Sequence, residues 1–291
     1  MAVVDLGAGV GSSLREWRER QRLSQLALAL AAGISARHLS FIETGRSKPG
    51  RDVLLRLTEC LEVPLRERNE LLLVSGYAPA FSELPLQDPM LAPVREALDV
   101  IISGHEPYPA VVVDRYWNLV AASTLMVLLA PLVDASLLEP PVNAMRVGLH
   151  PEGLARWTVN LAEVRSYFIG RLERQVALTR DPKLKELLQE VTAYPAPEVA
   201  HDFTQASAAA GILTPEMRFR LPDGGELAFF ATVLTFGTAL DVTASELSIE
   251  LGFPADALTA ETLNRVVGNL GTQGRPGQVW RQQPPANIPT W

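Results

Sequence analysis

Residues 23–45 have the sequence LSQLALALAAGISARHLSFIETG, and this stretch decides the fold of the N-terminal part of the chain. A serine precedes each apolar run, and serine is a preferred helix N-cap; Ser35 takes this place for the second run. Gly33 follows the first run, where a glycine commonly ends a helix. The spacing predicts one short helix over 25–32 and another over 36–44. Two short helices joined by such a turn are typical of a helix-turn-helix.

Similar helix-capping and helix-terminating residues occur on both sides of this stretch. Serine caps, glycine stops and apolar residues at helical spacing predict further helices over 12–22, 51–61 and 64–76. The prediction is therefore an all-α domain over residues 12–78. The next segment, 79–93, contains four prolines and is predicted to be a linker.

The charge of the chain is unevenly distributed. The formal net charge is −7, yet residues 12–51 carry eight Lys and Arg against three Asp and Glu. Residues 81–291 carry 15 basic side chains against 24 acidic ones. A basic segment inside an acidic chain indicates a local anionic partner such as nucleic acid.

The second helix of a helix-turn-helix lies in the DNA major groove, where its N-terminal residues touch base edges. A bidentate contact from Arg37 to guanine follows from this geometry, and the loop after the helix offers phosphate contacts. The predicted DNA-binding residues are Gln25, Ser35, Ala36, Arg37, His38, Ser40, Arg46, Ser47 and Lys48. The alternative is a plain helical bundle with solvated arginines. It does not explain the basic segment, the glycine turns and the serine caps together.

These residues resemble the Xre/Cro-type helix-turn-helix family. The resemblance is carried by Arg18, Leu23-Ser24-Gln25, Leu28-Ala29, Gly33-Ile34-Ser35, Ile42-Glu43, Gly45-Arg46 and Pro49. It implies an internal ion pair between Arg18 and Glu43. The chain departs from the family pattern at Gly50, where a Ser or Thr cap is more usual.

The hydrophobic pattern of the sequence changes after residue 94, where segments with helical spacing and segments with strand spacing both occur. Strands are predicted over 109–114, 118–122, 216–221, 226–236 and 245–253, and helices over 94–103, 153–179, 183–192 and 262–267. This order predicts an α+β domain over 94–267, an antiparallel sheet of about five strands with helices on one face. Residues 268–291 are predicted to be a C-terminal tail.

The order of elements resembles a PAS-like sensor fold, and almost the whole chain resembles the MmyB-like family of transcription regulators. The motifs that carry the second resemblance include His38-Leu39-Ser40-Phe41, Gly76-Tyr77-Ala78-Pro79, Asp114-Arg115-x-Trp117-Asn118, Asn143-x-x-Arg146, His150-Pro151-Glu152-Gly153 and Asp241-Val242-Thr243. The resemblance implies a C-terminal ligand-binding domain and a fatty-acid-like ligand. Ser123 stands where the family often has Asn.

A lipid tail requires a deep apolar cavity, and its head requires one or two polar groups. The predicted ligand-binding residues are Val113, Trp117, Leu125, Leu129, Arg146, Trp157, Leu161, Arg165, Phe168, Phe219, Phe230 and Phe236, with Arg171 a further candidate for a carboxylate head. For any single apolar member, ordinary core packing is the more common role. Arginines at the edge of an apolar helix face also commonly keep their guanidinium group in water.

Several classes of site are not supported by the sequence. A single cysteine, Cys60, excludes an internal disulfide and a cysteine-based zinc cluster. The four histidines have no metal-ligand spacing, and no nucleophile elbow, phosphate loop or dinucleotide motif occurs, so neither a metal, a cofactor nor an enzyme activity is predicted. No apolar run reaches 18 residues, so no membrane partner is expected, and the predicted location is the cytoplasm.

The sequence as a whole predicts a transcription regulator that binds double-stranded DNA, forms a homodimer on a pseudo-palindromic site and responds to a small hydrophobic ligand. The alternative is a DNA-binding protein whose C-terminal domain has a solid core and serves protein interaction or oligomerisation without a ligand. An enzyme with a DNA-binding head is a third, weaker hypothesis.

Overall fold

The structure is a computed structural model that describes residues 9–195 and 216–268. The described chain divides into two compact units. The first contains the residues up to Pro85 together with Thr179–Asp181 and Thr238–Ser245, and the second contains Leu86–Leu178, Pro182–Gly237 and the residues from Glu246 on. The predicted C-terminal tail lies, from residue 269, outside the described residues.

The first unit is built from five helices around a leucine-rich core. These helices are α1 (Val10–Arg20), α2 (Gln25–Ala31), α3 (Ala36–Glu43), α4 (Arg51–Cys60) and α5 (Leu65–Val74). The fully buried side chains of the core include Leu14, Leu28, Leu39, Ile42, Leu54, Leu57, Leu61 and Leu72. The predicted all-α organisation of this unit is confirmed.

The turn between α2 and α3 follows from its capping residues. The Ser35 hydroxyl accepts a hydrogen bond of 3.1 Å from the His38 amide and so caps α3. Gly33 has a φ of +65°, a backbone conformation that L-residues with a side chain rarely adopt. The amide of Ile34 donates to the carbonyl oxygen of Ala29 and closes the end of α2.

One buried carboxylate joins the first three helices. The Glu43 side chain on α3 is 1% exposed and accepts two hydrogen bonds from the Arg18 guanidinium on α1, at 2.7 and 3.0 Å. It also accepts a hydrogen bond of 2.7 Å from the Gln25 amide at the start of α2. The Glu43 hydrogen bond raises the pKa of Arg18, although burial opposes this shift. The ion pair that the family resemblance implied is present.

The second unit is a mixed α+β domain, as predicted. Its elements are α6 (Ala92–His105), β1 (Ala110–Val113), β2 (Leu119–Ala122), α7 (Thr124–Leu128), α8 (Ala144–Leu149), α9 (Leu161–Thr179), α10 (Pro182–Ala193), β3 (Glu216–Arg220), β4 (Glu226–Thr235), β5 (Ser248–Pro254) and, after the short α11 (Val242–Ser245) of the first unit, α12 (Ala257–Gly268). Short 3-10 turns occur at Pro89–Leu91, Ala130–Leu132, Ala135–Leu138 and Leu154–Trp157.

The five strands form one antiparallel sheet in the order β2-β1-β5-β4-β3. Val111 of β1 pairs with Glu250 of β5, and Ala231 of β4 pairs with Gly252 of β5. Because successive side chains of a strand alternate between the two faces, these four residues lie on one face of the sheet. Helix α6 packs against the opposite face through Leu98 and neighbouring apolar residues. Helices therefore cover both faces, whereas the sequence indicated one.

The predicted helix over 153–179 is interrupted. A 3-10 turn ends at Trp157, and α9 begins only at Leu161. Between them, the Val159 amide donates to the Arg218 carbonyl oxygen at 2.8 Å, and the Asn160 side chain bonds to the backbone of β3. These bonds to a strand edge replace the helical ones, so the chain pairs with the edge of β3 before α9 starts.

The described residues offer neither a membrane span nor a metal cluster. No single helix there is long and apolar enough to cross a membrane, and α2 and α3 meet the length and composition test only when counted together across their 112° bend. No group of three or more His, Cys, Asp or Glu side chains in those ranges is arranged to hold a metal ion.

The Arg18–Glu43 pair gives a direct stability prediction. Replacing Glu43 with Ala leaves a largely buried guanidinium without its carboxylate, so we expect a loss of about 3 kcal/mol. Hydrogen exchange of the intact chain measures this loss as reduced protection of α1 to α3. Glu16→Ala is the matched control on α1, because its exposed carboxylate pairs with the side chains of Arg20 and Arg180 at the surface, and exposed pairs contribute little to stability. Equal loss of protection in both variants would contradict the structural role of Glu43.

Candidate DNA-binding surface and ligand cavity

Helix α3 presents its N-terminal turns on the surface of the first unit. Arg37 is exposed, and its guanidinium carbon lies 5.4 Å from the centroid of the Phe41 ring. Ser35 is exposed, and His38 and Ser40 are half-buried beside it. The side chains predicted to contact base edges therefore lie together on one short helix and its N-cap, and this helix is bent 112° from α2.

The loop after α3 and the start of α2 supply the remaining predicted residues. Arg46 and Lys48 are exposed, and Ser47 is half-buried. The ammonium group of Lys48 lies 5.2 Å from the centroid of the Tyr77 ring, which limits its freedom. Gln25 is half-buried and its amide is committed to Glu43. Of the other predicted residues, Ala36 packs against the leucine core.

An apolar cavity lies within the second unit, between one face of the sheet and α7, α8 and α9. Its volume is about 190 Å³, and its wall is almost wholly apolar. Six of the predicted ligand-binding residues line it: Trp117, Leu125, Leu129, Trp157, Phe168 and Phe219. The two indole N–H groups on the wall are satisfied, by the Gln175 side chain at 2.9 Å and by the Leu132 carbonyl oxygen at 3.1 Å.

A strained turn holds Trp117 at the cavity wall. Its φ is +65°, which is uncommon for a residue with a bulky side chain. Asp114 stabilises the turn, because its carboxylate accepts hydrogen bonds from the backbone amides of Tyr116 and Asn118, at 2.8 and 2.9 Å. The Trp117 carbonyl oxygen accepts a 2.8 Å bond from Ala144 at the start of α8. The Asp-Arg-x-Trp-Asn motif therefore positions one wall of the cavity.

A largely buried ion pair lies beside the cavity. Glu250 of β5 lies on the wall, and both of its oxygens accept hydrogen bonds of 2.8 Å from Arg171 of α9. The guanidinium carbon of Arg171 also lies 4.7 Å from the centroid of the Trp117 ring. Burial disfavours the Arg171 charge, but the hydrogen bonds and negative charge of Glu250 outweigh it and raise the pKa of Arg171.

The structure does not bring the other two candidate head-group arginines to the cavity wall. Arg146 forms two hydrogen bonds of 2.8 Å with Glu190 of α10, and this pairing raises the pKa of Arg146 and lowers the pKa of Glu190. Arg165 donates a 2.7 Å hydrogen bond to the Thr192 carbonyl oxygen at the end of α10. Burial lowers the pKa of Arg165. Both side chains are thus directed toward α10.

Four predicted wall residues also lie elsewhere. Phe230 is on the opposite face of the sheet, where its ring stacks on Phe253 at 5.4 Å, because strand alternation turns Phe229 rather than Phe230 toward the cavity. Phe236 packs with the α6 side of the sheet. Val113 is buried in the cluster formed with α9 and α10, and Leu161 is not on the wall.

Other wall residues were missed by the sequence analysis. Met145 and Leu149 of α8 and Phe229 and Ala231 of β4 line the cavity, as does Glu250. Alternation along β4 from Leu227 could have identified Phe229 and Ala231. For Glu250 no sequence signal exists, because its partner Arg171 is 79 residues away.

Ser123 also has a clear structural role. It is fully buried, and its hydroxyl accepts a 2.9 Å hydrogen bond from the Ala110 amide. Its own amide donates to the Ala110 carbonyl oxygen at 2.8 Å. Ser123 therefore completes the pairing of β1 with the chain that follows β2.

Comparisons with known proteins identify a family for the N-terminal helical part and another for the C-terminal part of the chain. A family model described as the MmyB-like transcription regulator ligand binding domain matches residues 94–266, and a helix-turn-helix model matches residues 14–68. No curated protein matches the chain. A solved structure described as an RNA-binding Light-Oxygen-Voltage receptor aligns with 94% of this chain, which spans 64% of that chain, at 14% identity. Its TM-score of 0.24 is too low to support an argument.

Filling the cavity from β4 tests whether the space exists in solution. Leu at position 231 adds three buried carbons, so Ala231→Leu should leave the free energy of unfolding unchanged or raise it by up to about 2 kcal/mol. Chemical denaturation measures this change. Thr232→Leu places a leucine on the opposite face of the same strand and serves as the control. A loss of more than about 1 kcal/mol in Ala231→Leu alone, the cost of overpacking, would mean that the region is already filled.

Proposed function

This chain belongs to the family of MmyB-like transcription regulators, and on that basis we propose that it binds operator DNA through residues 12–78 and a fatty acid or a closely related acyl compound through residues 94–267. Residues 79–93 then act as the linker. The coarser conclusion, a DNA-binding transcription regulator with a ligand-binding domain, follows from the two matched families.

The single observation that carries the ligand half is the apolar cavity of about 190 Å³. Protein interiors are close-packed, so a space of this size lined by apolar side chains is typical of a ligand site. A hydrophobic ligand that enters it removes its own apolar surface from water, which is favourable. The wall is made mainly of leucine, methionine and aromatic side chains, which suit the apolar surface of an acyl chain.

The surface of α3 supports the DNA half. Arg37 and Ser40 lie on the helix that a helix-turn-helix inserts into the major groove, and the exposed Arg46 and Lys48 of the following loop are available for phosphate contacts. The Arg18–Glu43 pair fixes this helix against α1. We propose a homodimer that acts in the cytoplasm, because two recognition helices about one DNA turn apart then contact a pseudo-palindromic operator.

The ligand regulates DNA binding only if it binds the two states of the protein with different affinity. In the proposal, filling the cavity shifts α7 to α9 against the sheet, and the second unit transmits the change to the spacing of the DNA-binding units in the dimer. A cavity that accepts ligand without this differential affinity would be a store rather than a sensor.

Two arginine variants separate base recognition from phosphate contact. Arg37→Ala should weaken binding to the operator by about 1 to 3 kcal/mol and have little effect on random DNA. Arg46→Ala should weaken binding to all duplexes and reduce the slope of log K against log salt by about 1. Anisotropy titrations at several salt concentrations measure both. If Arg37→Ala weakened binding to operator and to random DNA equally, the base-reading role of Arg37 would be refuted. If Arg46→Ala left the salt slope unchanged, a phosphate contact by Arg46 would be refuted.

Native mass spectrometry of the purified chain, with organic extraction of the bound material, tests the ligand. We expect one hydrophobic molecule per chain, or stoichiometric binding from a panel of acyl compounds, and loss of binding in Ala231→Leu but not in Thr232→Leu. A chain that carries no ligand and that no acyl compound stabilises would contradict the proposal. That result would favour a C-terminal domain that recruits a protein.

A further inference from the structure

We propose that two copies of this chain dimerise through the surface of β3 and β4 that faces away from the cavity. We call this surface the β4 face, and its residues are Glu216, Arg218, Arg220, Glu226, Phe230 and Leu234. The inference rests on the proposed function, which requires a homodimer, and it names the surface that joins the two copies.

Helix α6 covers only part of the sheet face on which it lies. Leu98 of this helix belongs to one buried cluster with Val112 of β1 and Ile249 of β5. Leu234 of β4 pairs directly with Ile249 and so lies on the same face, but it is 42% exposed whereas Ile249 is 1% exposed. Phe230, four residues earlier on that face, is 46% exposed. An exposed apolar strip of this kind is typical of an interaction surface.

The polar part of the β4 face carries both signs of charge. The pairing of β3 with β4 places four charged side chains on the same face as Phe230: Glu216, Arg218, Arg220 and Glu226. Each is between 45% and 61% exposed, and the ion pairs among them, at 4.0 and 3.5 Å, are surface pairs that exchange partners at little cost. An apolar centre beside a charged rim is the usual anatomy of a protein interface.

This charge pattern fits a second copy of the chain. A twofold interface must be complementary to itself, because residue i of one copy meets residue j of the other and the reverse. A twofold axis across the strands places the two β3 strands antiparallel. Glu216 of one copy then lies opposite an arginine of the other, Arg218 or Arg220, whether the axis passes Met217 or Arg218. A partner of a single charge would instead meet two like charges on the β4 face.

The edges of the sheet favour packing through a face. A dimer formed by strand addition needs an unpaired edge. At the β3 edge, the Val159 amide donates to the Arg218 carbonyl oxygen at 2.8 Å, and the Asn160 side chain donates to the Glu216 carbonyl oxygen at 2.6 Å. At the β2 edge, the Leu119 amide donates to the Val142 carbonyl oxygen at 2.8 Å. Face-to-face packing leaves these hydrogen bonds intact.

The proposed interface and the cavity are opposite faces of one strand. Phe229 and Ala231 of β4 line the cavity, whereas Phe230 and Leu234 lie on the other side. A ligand that displaces β4 therefore alters the contact between the two copies. This arrangement gives the cavity a short route to the spacing of the DNA-binding units in the dimer.

Sedimentation velocity of the full chain over a range of concentrations tests the surface. Phe230→Asp places a charge in the apolar strip and should raise the dimer Kd by about tenfold or more. Leu258→Asp is the matched control, because Leu258 is 66% exposed on α12, whose Leu263 packs with Phe229 on the cavity side of the sheet. The control should keep the wild-type Kd.

Two results of this measurement would contradict different claims. A dimer that folded Phe230→Asp does not weaken would overturn the inference and leave the homodimer intact. A wild-type chain that stays monomeric at every concentration, with and without operator duplex, would overturn both.

A charge swap tests the same surface without changing the apolar strip. Arg218→Glu combined with Arg220→Glu makes the rim wholly acidic, and Glu216→Arg combined with Glu226→Arg makes it wholly basic. Each double variant alone should dimerise about tenfold more weakly than the wild type, because like charges then meet across the axis. An equimolar mixture should recover the wild-type Kd within about threefold, and native mass spectrometry identifies the heterodimer by its mass. Unchanged dimers of the separate variants, or a mixture that recovers no dimer, would overturn the inference.

Discussion

A charge that is removed from water must be paired, and this constraint shapes both units of the chain. In the first unit, the Glu43 carboxylate is almost inaccessible and binds both Arg18 and Gln25, so α1, α2 and α3 share one anchor. In the second, Arg171 and Glu250 join α9 to the central strand of the sheet. The first pair orients the helix that carries the predicted DNA-binding side chains. The second places an ion pair beside the cavity.

The cavity persists because the groups around it are held in place. Trp117 is fixed by the Asp114 turn and by Gln175, and Trp157 is fixed by the Leu132 carbonyl oxygen. Large side chains with committed hydrogen bonds do not collapse into a neighbouring space, whereas most interiors close such voids. Trp117 also has a positive φ, and residues with such strained backbone conformations commonly occur at ligand sites.

Local signals in the sequence were sufficient for much of the fold. Serine caps and glycine stops located α2 and α3, and alternation located the strands, because both depend on near neighbours in the chain. The break before α9 depends on the edge of β3, and the partner of Arg146 lies 44 residues away. Phe229 and Phe230 are both aromatic, and only the alternation that begins at Leu227 indicates which of them faces the cavity. Side-chain partners distant in sequence were therefore beyond local patterns.

The most direct measurement is the affinity for operator DNA with and without ligand. An operator selected by the protein from random duplexes is titrated by fluorescence anisotropy, first with free protein and then with the acyl compound that binds it most tightly at saturation. A regulator whose cavity is the sensor shows at least a fivefold change in Kd, and Ala231→Leu shows none. Stoichiometric ligand binding with an unchanged operator Kd would contradict a ligand-responsive regulator.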